Sequence, residues 1–208
     1  MKKAIIIAAL AFGVSSGAAL AQQIQLPQVD PAKVTAAVKG AFSKAPPEWQ
    51  QRIELDETQR ICTDKRNQVS AQEAEAIQKR EMQNVVFPKD GKFLGDWKKG
   101  FQVANVGTGG QFSDKPGGRV GGNCYACHEM APSEVSFGTL GPSLKGYGKM
   151  KDYSQEAMRE AWAKIYNSQA VFACSNMPRF GSKKILSEEQ IKDVMAYLFD
   201  KDSPVNKD

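Results

Sequence analysis

Two stretches in the second half of the chain carry apolar residues at helical spacing. Residues 154–167 set Met158, Ala161, Trp162 and Ile165 on one side, the recurrence of a helix packed on a core. A second helix is expected to start after Ser187. Ser187 and Gln190 have the spacing of a capping box, and Ile191, Val194, Met195 and Leu198 supply a buried face. Residues 96–106 repeat the pattern with Trp97, Gly100, Phe101 and Ala104. Gly100 weakens a helix there unless another backbone has to approach closely. Residues 64–83 are rich in Gln, Glu, Ala, Lys and Arg, all good helix formers. Val69, Ala76, Ile77 and Met82 make only a thin apolar stripe, so this segment reads as an exposed helix docked on something larger.

Elsewhere the pattern is irregular. Residues 22–47 are punctuated by Pro27, Pro31, Pro46 and Pro47 and read as a linker or loose arm. A short helix over 31–42 fits within it, with Pro31 in its first turn and Asp30 as its cap. Residues 107–122 are rich in glycine but lack the Lys-Ser/Thr of a phosphate loop. No segment has the alternation of a strand. The expected class is all-α with long loops: a leader over 1–21, an N-terminal extension over 22–92, and a main domain over 93–208.

The leader changes the picture most. Lys2 and Lys3 precede an apolar run, and Ala19-Leu20-Ala21 offers the small residues that signal peptidase reads. The run is broken by Gly13, Ser15, Ser16 and Gly17 and is short for a bilayer span of about 20 residues. Export to the periplasm and cleavage after Ala21 are expected, with no membrane span in the mature chain. Loss of the two lysines lowers a formal charge that begins at +5. Such modest basicity does not call for nucleic acid.

Cys124-Tyr125-Ala126-Cys127-His128 carries the chemistry. C-x-x-C-H is the attachment signature of a covalently bound haem c. Two thiols at this spacing add to the haem vinyl groups, and the adjacent histidine lies under the iron. A thioredoxin-like C-x-x-C would follow a strand, not a glycine-rich run. A zinc site would need four ligands from a chain with one histidine and two further cysteines.

His128 is the only histidine, so the chain cannot supply bis-histidine ligation. The leading sixth ligand is Met177, which precedes Pro178 in a loop between the two strong helices. A thioether suits low-spin haem iron and raises its potential. Met150 is the main rival, and an open site is the other alternative. Residues 138–144, with Gly141-Pro142 at their centre, are placed to offer a backbone carbonyl to the free ring N–H of His128. Cys62 and Cys174 remain as an even pair in an oxidising compartment. A disulfide between them is expected, the rival reading being a reactive or ligating Cys174.

On these residues the chain resembles the class I cytochromes c. Through Gly121-Gly122-Asn123, residues 138–144 and Asn176-Met177-Pro178-Arg179-Phe180, it resembles more narrowly the SoxX family, the monohaem subunits of SoxAX cytochromes. The resemblance implies a heterodimer with a SoxA-like cytochrome subunit that holds the catalytic cysteine. It implies a SoxYZ-like carrier protein whose cysteine is oxidatively joined to thiosulfate, and a downstream cytochrome as electron acceptor. This chain would then be the electron-transfer subunit of an L-cysteine S-thiosulfotransferase, with no catalytic residue of its own. A freestanding periplasmic electron shuttle and a gas-binding haem sensor are the competing functions.

Overall fold

The computed structural model of the protein describes residues 29–109, 114, 118 and 120–207. The expected leader, the start of the arm after it and part of the glycine-rich stretch lie outside the described residues. Among the described residues the chain is helical and contains no strand. The helices are α1 (Pro31–Ala41), α2 (Pro47–Gln50), α3 (Glu57–Asp64), α4 (Ala71–Met82), α5 (Trp97–Asn105), α6 (Tyr147–Met150), α7 (Gln155–Tyr166) and α8 (Glu188–Phe199). The described residues up to 41, which include α1, belong to one unit, and those from 42 onward belong to another. Within α1, Asp30 caps the first turn by accepting from the Ala32 N–H at 2.9 Å.

The core of the larger unit is built on α5, α7 and α8. Met158, Ala161, Trp162 and Ile165 of α7 are buried, as are Ile191, Val194, Met195 and Leu198 of α8. Ser187 starts α8 with a reciprocal capping box. Gln190 N–H donates to Ser187 Oγ at 3.2 Å, and Ser187 N–H donates to Gln190 Oε1 at 3.0 Å. Two orphan donors are thereby satisfied at the helix start.

Helix α5 crosses α8 so closely that only glycine fits at the crossing. A Cβ on Gly100 would lie 2.0 Å from the Asp193 carbonyl oxygen and 2.9 Å from Tyr197 Cβ. The helix-weakening glycine thus permits the close approach. The crossing is pinned at the start of α5, where Gly95 N–H donates to Lys192 O at 2.9 Å and Asp96 N–H to Asp193 Oδ1 at 2.8 Å.

Val86 and Phe93 pack on this core through Trp162. Trp162 is 0% exposed. Its ring packs edge-on against Phe93, with centroids 5.8 Å apart, and its indole N–H donates to Val86 O at 2.9 Å. Truncating such a residue costs about 3–5 kcal/mol.

Residues 64–83 do not form a single helix. Helix α3 ends at Asp64, and the chain turns through Arg66 and Asn67 at φ 50° and 61°. Helix α4 then starts afresh on a Ser70–Glu73 capping box. Left-handed residues cannot continue a right-handed helix, so composition alone hides the break. Helix α3 has its own box, from Asp56 and Gln59. Against these two helices lies a second, smaller core of Cys62, Ile77, Ala173 and Cys174. Cys62 and Cys174 are joined in a disulfide that spans a sequence separation of 112 residues. Closing a loop of that length is worth about 4–5 kcal/mol on the chain-entropy model.

Candidate functional site

The C-x-x-C-H segment is delivered by the end of α5. Gly122 N–H donates to Val103 O at 2.8 Å and Asn123 N–H to Val106 O at 3.1 Å. Asn123 then takes a left-handed conformation, φ 47° and ψ 44°, and starts a single 3₁₀ turn, Cys124–Ala126. The turn is closed by Cys127 N–H and His128 N–H, which both donate to Cys124 O, at 3.1 and 2.9 Å. Cys124 and Cys127 carry free thiols and are half-buried. Burial pushes the Cys124 thiol up to about 12.

Residues 138–144 run alongside this segment in the same direction. Gly138 N–H donates to Tyr125 O at 2.8 Å, Gly141 N–H to Cys127 O at 2.8 Å and Leu144 N–H to Glu129 O at 2.7 Å. The loop therefore holds both sides of His128 in register. His128 Nδ1 lies 2.8 Å from the Pro142 carbonyl oxygen. A carbonyl only accepts, so Nδ1 carries the proton and donates. In the neutral ring Nε2 then carries the lone pair. That is the tautomer a metal ligand requires. Gly141 is packed against the same imidazole: a Cβ there would lie 2.2 Å from His128 Cε1 and 2.5 Å from Nδ1.

The methionine segment reaches the same core. Cys124 and Met177 are both half-buried and pack against it. A Cβ on Gly122 would meet Cys124 Sγ at 3.2 Å, Leu186 Cδ1 at 3.6 Å and Phe180 Cε1 at 3.7 Å. Phe180, three residues after Met177, and the first thiol of the motif thus both border Gly122. Met177 is held by its backbone: Ser168 Oγ–H donates to Met177 O at 2.6 Å, and Met177 N–H donates to Ser175 Oγ at 3.2 Å. Met150 ends the one-turn helix α6 and is 63% exposed. Met130, Met158 and Met195 are buried in the main core.

Two thiols at haem-vinyl spacing, one imidazole in the ligating tautomer and a half-buried thioether on the same core form a donor set that fits a covalently held haem. Cys124, Cys127 and His128 would hold it. Sequence reasoning did not reach two neighbours of this site. Tyr125, inside the motif, shares a hydroxyl–hydroxyl hydrogen bond of 2.9 Å with fully buried Tyr197 of α8. Burial raises both phenols above their ordinary range, so the pair adds no negative charge. Arg179, two residues after Met177, is 8% exposed and paired with Asp56 at 2.6 Å and Glu81 at 3.6 Å. In the sequence it stood out only as part of the run Asn176 to Phe180, with nothing to name its partners.

Comparison with known proteins supports a covalently attached haem. The family model for cytochrome c matches residues 112–200. An uncharacterized lipoprotein of Aquifex aeolicus (strain VF5) is 34% identical over 201 residues, a match that covers 95% of each chain.

Proposed function

This chain carries a cytochrome c domain over residues 112–200, and from that premise we propose that it is a one-electron relay with a single haem c on Cys124, Cys127 and His128 and Met177 as the sixth ligand. A cytochrome c domain implies electron transfer and covalent haem c. When bound, the haem supplies a reversible one-electron iron couple. The protein's part is positional. Pro142 O takes the Nδ1 proton of His128 as a hydrogen bond and orients the ring. The Met177 loop offers a soft, neutral thioether, which favours the reduced state. The apolar core behind Cys124 keeps water from one side. The observation that carries this reading is the 2.8 Å contact of His128 with Pro142, because it commits the chain's only histidine to the ligating tautomer.

The finer reading is that the relay is the electron-accepting subunit of a SoxAX-like L-cysteine S-thiosulfotransferase. Joining thiosulfate to a carrier thiol releases two electrons and one proton. A SoxA-like subunit with the reactive cysteine would perform that step on a SoxYZ-like carrier. This chain would pass the electrons on to another cytochrome. The support is the set of residues around the haem motif, Gly121-Gly122-Asn123 and Asn176 to Phe180, since the family model is that of cytochrome c at large. Export to the periplasm is supported by the leader-like first 21 residues and by the name of the Aquifex relative.

The test is reconstitution. Thiosulfate should reduce the haem of this chain only when a SoxA-type subunit and its carrier are both present. Equal reduction by unrelated donors, with no stable SoxA-type complex, would make it a freestanding shuttle. Carbon monoxide binding to the resting ferrous protein would make it a ligand-binding haem protein and overturn the Met177 assignment.

A further inference from the structure

Met177 stands between two anchors, and both run to helices α3 and α4. Three residues before it, Cys174 is bonded to Cys62 of α3. Each of these cysteines is 6% exposed, and they share their small core with Ile77 of α4. Cys174 sits at φ 57°, a left-handed conformation that a residue with a side chain keeps only where its surroundings impose it. Gln78 of α4 adds a hydrogen bond from Nε2 to Val171 O at 2.7 Å.

Two residues after Met177, Arg179 pairs with Asp56, the N-cap of α3, and with Glu81 of α4. Glu81 is itself buried. It accepts hydrogen bonds from Thr58 of α3 and, at 2.9 Å, from Asn167 Nδ2. A buried carboxylate and a buried guanidinium are each costly alone. Their pairing therefore ties the loop to both helices.

We propose that α3 and α4 form the positioning element for Met177, acting through the Cys62–Cys174 bridge on one side and the Glu81–Arg179 pair on the other. This rests on the reading of Met177 as the sixth ligand. A thioether is a neutral, weak donor. Held on a loose segment, it spends part of its time off the metal. Fixing the segment at both ends raises the effective concentration of the sulfur at its site and reduces the ordering cost of placing it there. Helices remote in sequence thereby set the strength of a bond made at residue 177. The bridge sulfurs carry no electrons in this role.

The experiment uses the holoprotein and reads the far-red charge-transfer band of ferric methionine-ligated haem, carbon monoxide binding to the ferrous form, and helix content by circular dichroism. Met177→Leu sets the baseline by losing the band. The Cys62→Ser/Cys174→Ser double variant removes one anchor, and the Asp56→Asn/Glu81→Gln double variant, which takes both carboxylates from Arg179, removes the other. Each is expected to keep its helix content while the methionine-off fraction rises by about tenfold. Should the cysteine double variant fail to fold, a dithiol cuts the same bridge in the native holoprotein, because haem thioethers do not undergo thiol–disulfide exchange. Alkylation and reoxidation of the iron then restore the ferric readout. An unchanged band and unchanged carbon monoxide binding after either anchor is removed overturn the role of that anchor. If Met177→Leu keeps the band, the ligand reading falls first and this inference falls with it.

Discussion

The ring nitrogen Nδ1 of His128 and the carbonyl oxygen of Pro142 are 2.8 Å apart. That contact leaves Nε2 as the nitrogen open to a metal. Gly141, the residue before Pro142, lies against the same ring with no room for a side chain. Gly141→Ala is expected to push the imidazole out of register. Overpacking of this kind costs about 1–3 kcal/mol. The haem content per chain and the thermal midpoint should both fall. Unchanged values would mean that the loop yields freely and does not orient the ring.

Met177→Leu is expected to leave the haem attached, abolish the far-red ferric band, lower the reduction potential and open the ferrous form to carbon monoxide. Met150→Leu should change none of these, since Met150 is 63% exposed at the end of α6. The opposite outcome for the pair would transfer the sixth-ligand role to Met150.

Gly100→Ala sets two effects against each other. Alanine favours an isolated helix over glycine by about 1 kcal/mol. A Cβ placed 2.0 Å from the Asp193 carbonyl oxygen forces α5 and α8 apart, at a cost of about 1–3 kcal/mol or more. The clash should win. Denaturant titration is expected to give a lower midpoint for the variant, and a higher one would mean that the crossing relaxes without loss.

Asp56 gives the acid limb a definite sign. Burial raises its carboxyl, but the Gln59 backbone N–H, Lys183 and Arg179 outweigh that and hold it at about 2 against an ordinary 3.8. A depressed carboxyl contributes stability above its unfolded value and loses it as the pH falls through the folded one. The window is therefore roughly pH 4 down to 2, as set by those two values. Because the side chain is 35% exposed, screening keeps the contribution to about 1 kcal/mol at most. Asp56→Asn should lower the denaturant midpoint near neutrality and shrink the further loss across that window. Parallel acid limbs for the two proteins would show that the ion pairs there add nothing.

What was legible in the chain was whatever lay close together in sequence. The face of α8 and its Ser187–Gln190 cap are within one helix, and C-x-x-C-H is a contiguous motif. The close approach at Gly100 was legible because a glycine inside a helical pattern has few other uses. Helix α3 was missed because it is only eight residues long and buries Thr58 and Cys62, not a run of large apolar side chains. The break at Arg66 and Asn67 was missed because nearby helix formers mask it, although Ser70 and Glu73 already had capping-box spacing. The Glu81–Arg179 pair joins distant parts of the chain, and no local pattern specifies which buried charge meets which.

The disulfide also bears on how the chain matures. Its cysteines lie in the order 62, 124, 127, 174, so a chain emerging from its N-terminus presents the haem thiols before Cys62's own partner exists. The first thiols that Cys62 can meet are therefore the wrong ones. Four cysteines allow three complete pairings, and only one combines the 62–174 link with a 124–127 pair that can be reopened for haem. Correct maturation is then a matter of timing: either Cys62 waits for nearly the whole chain, or an early mispair has to be undone before cofactor attachment.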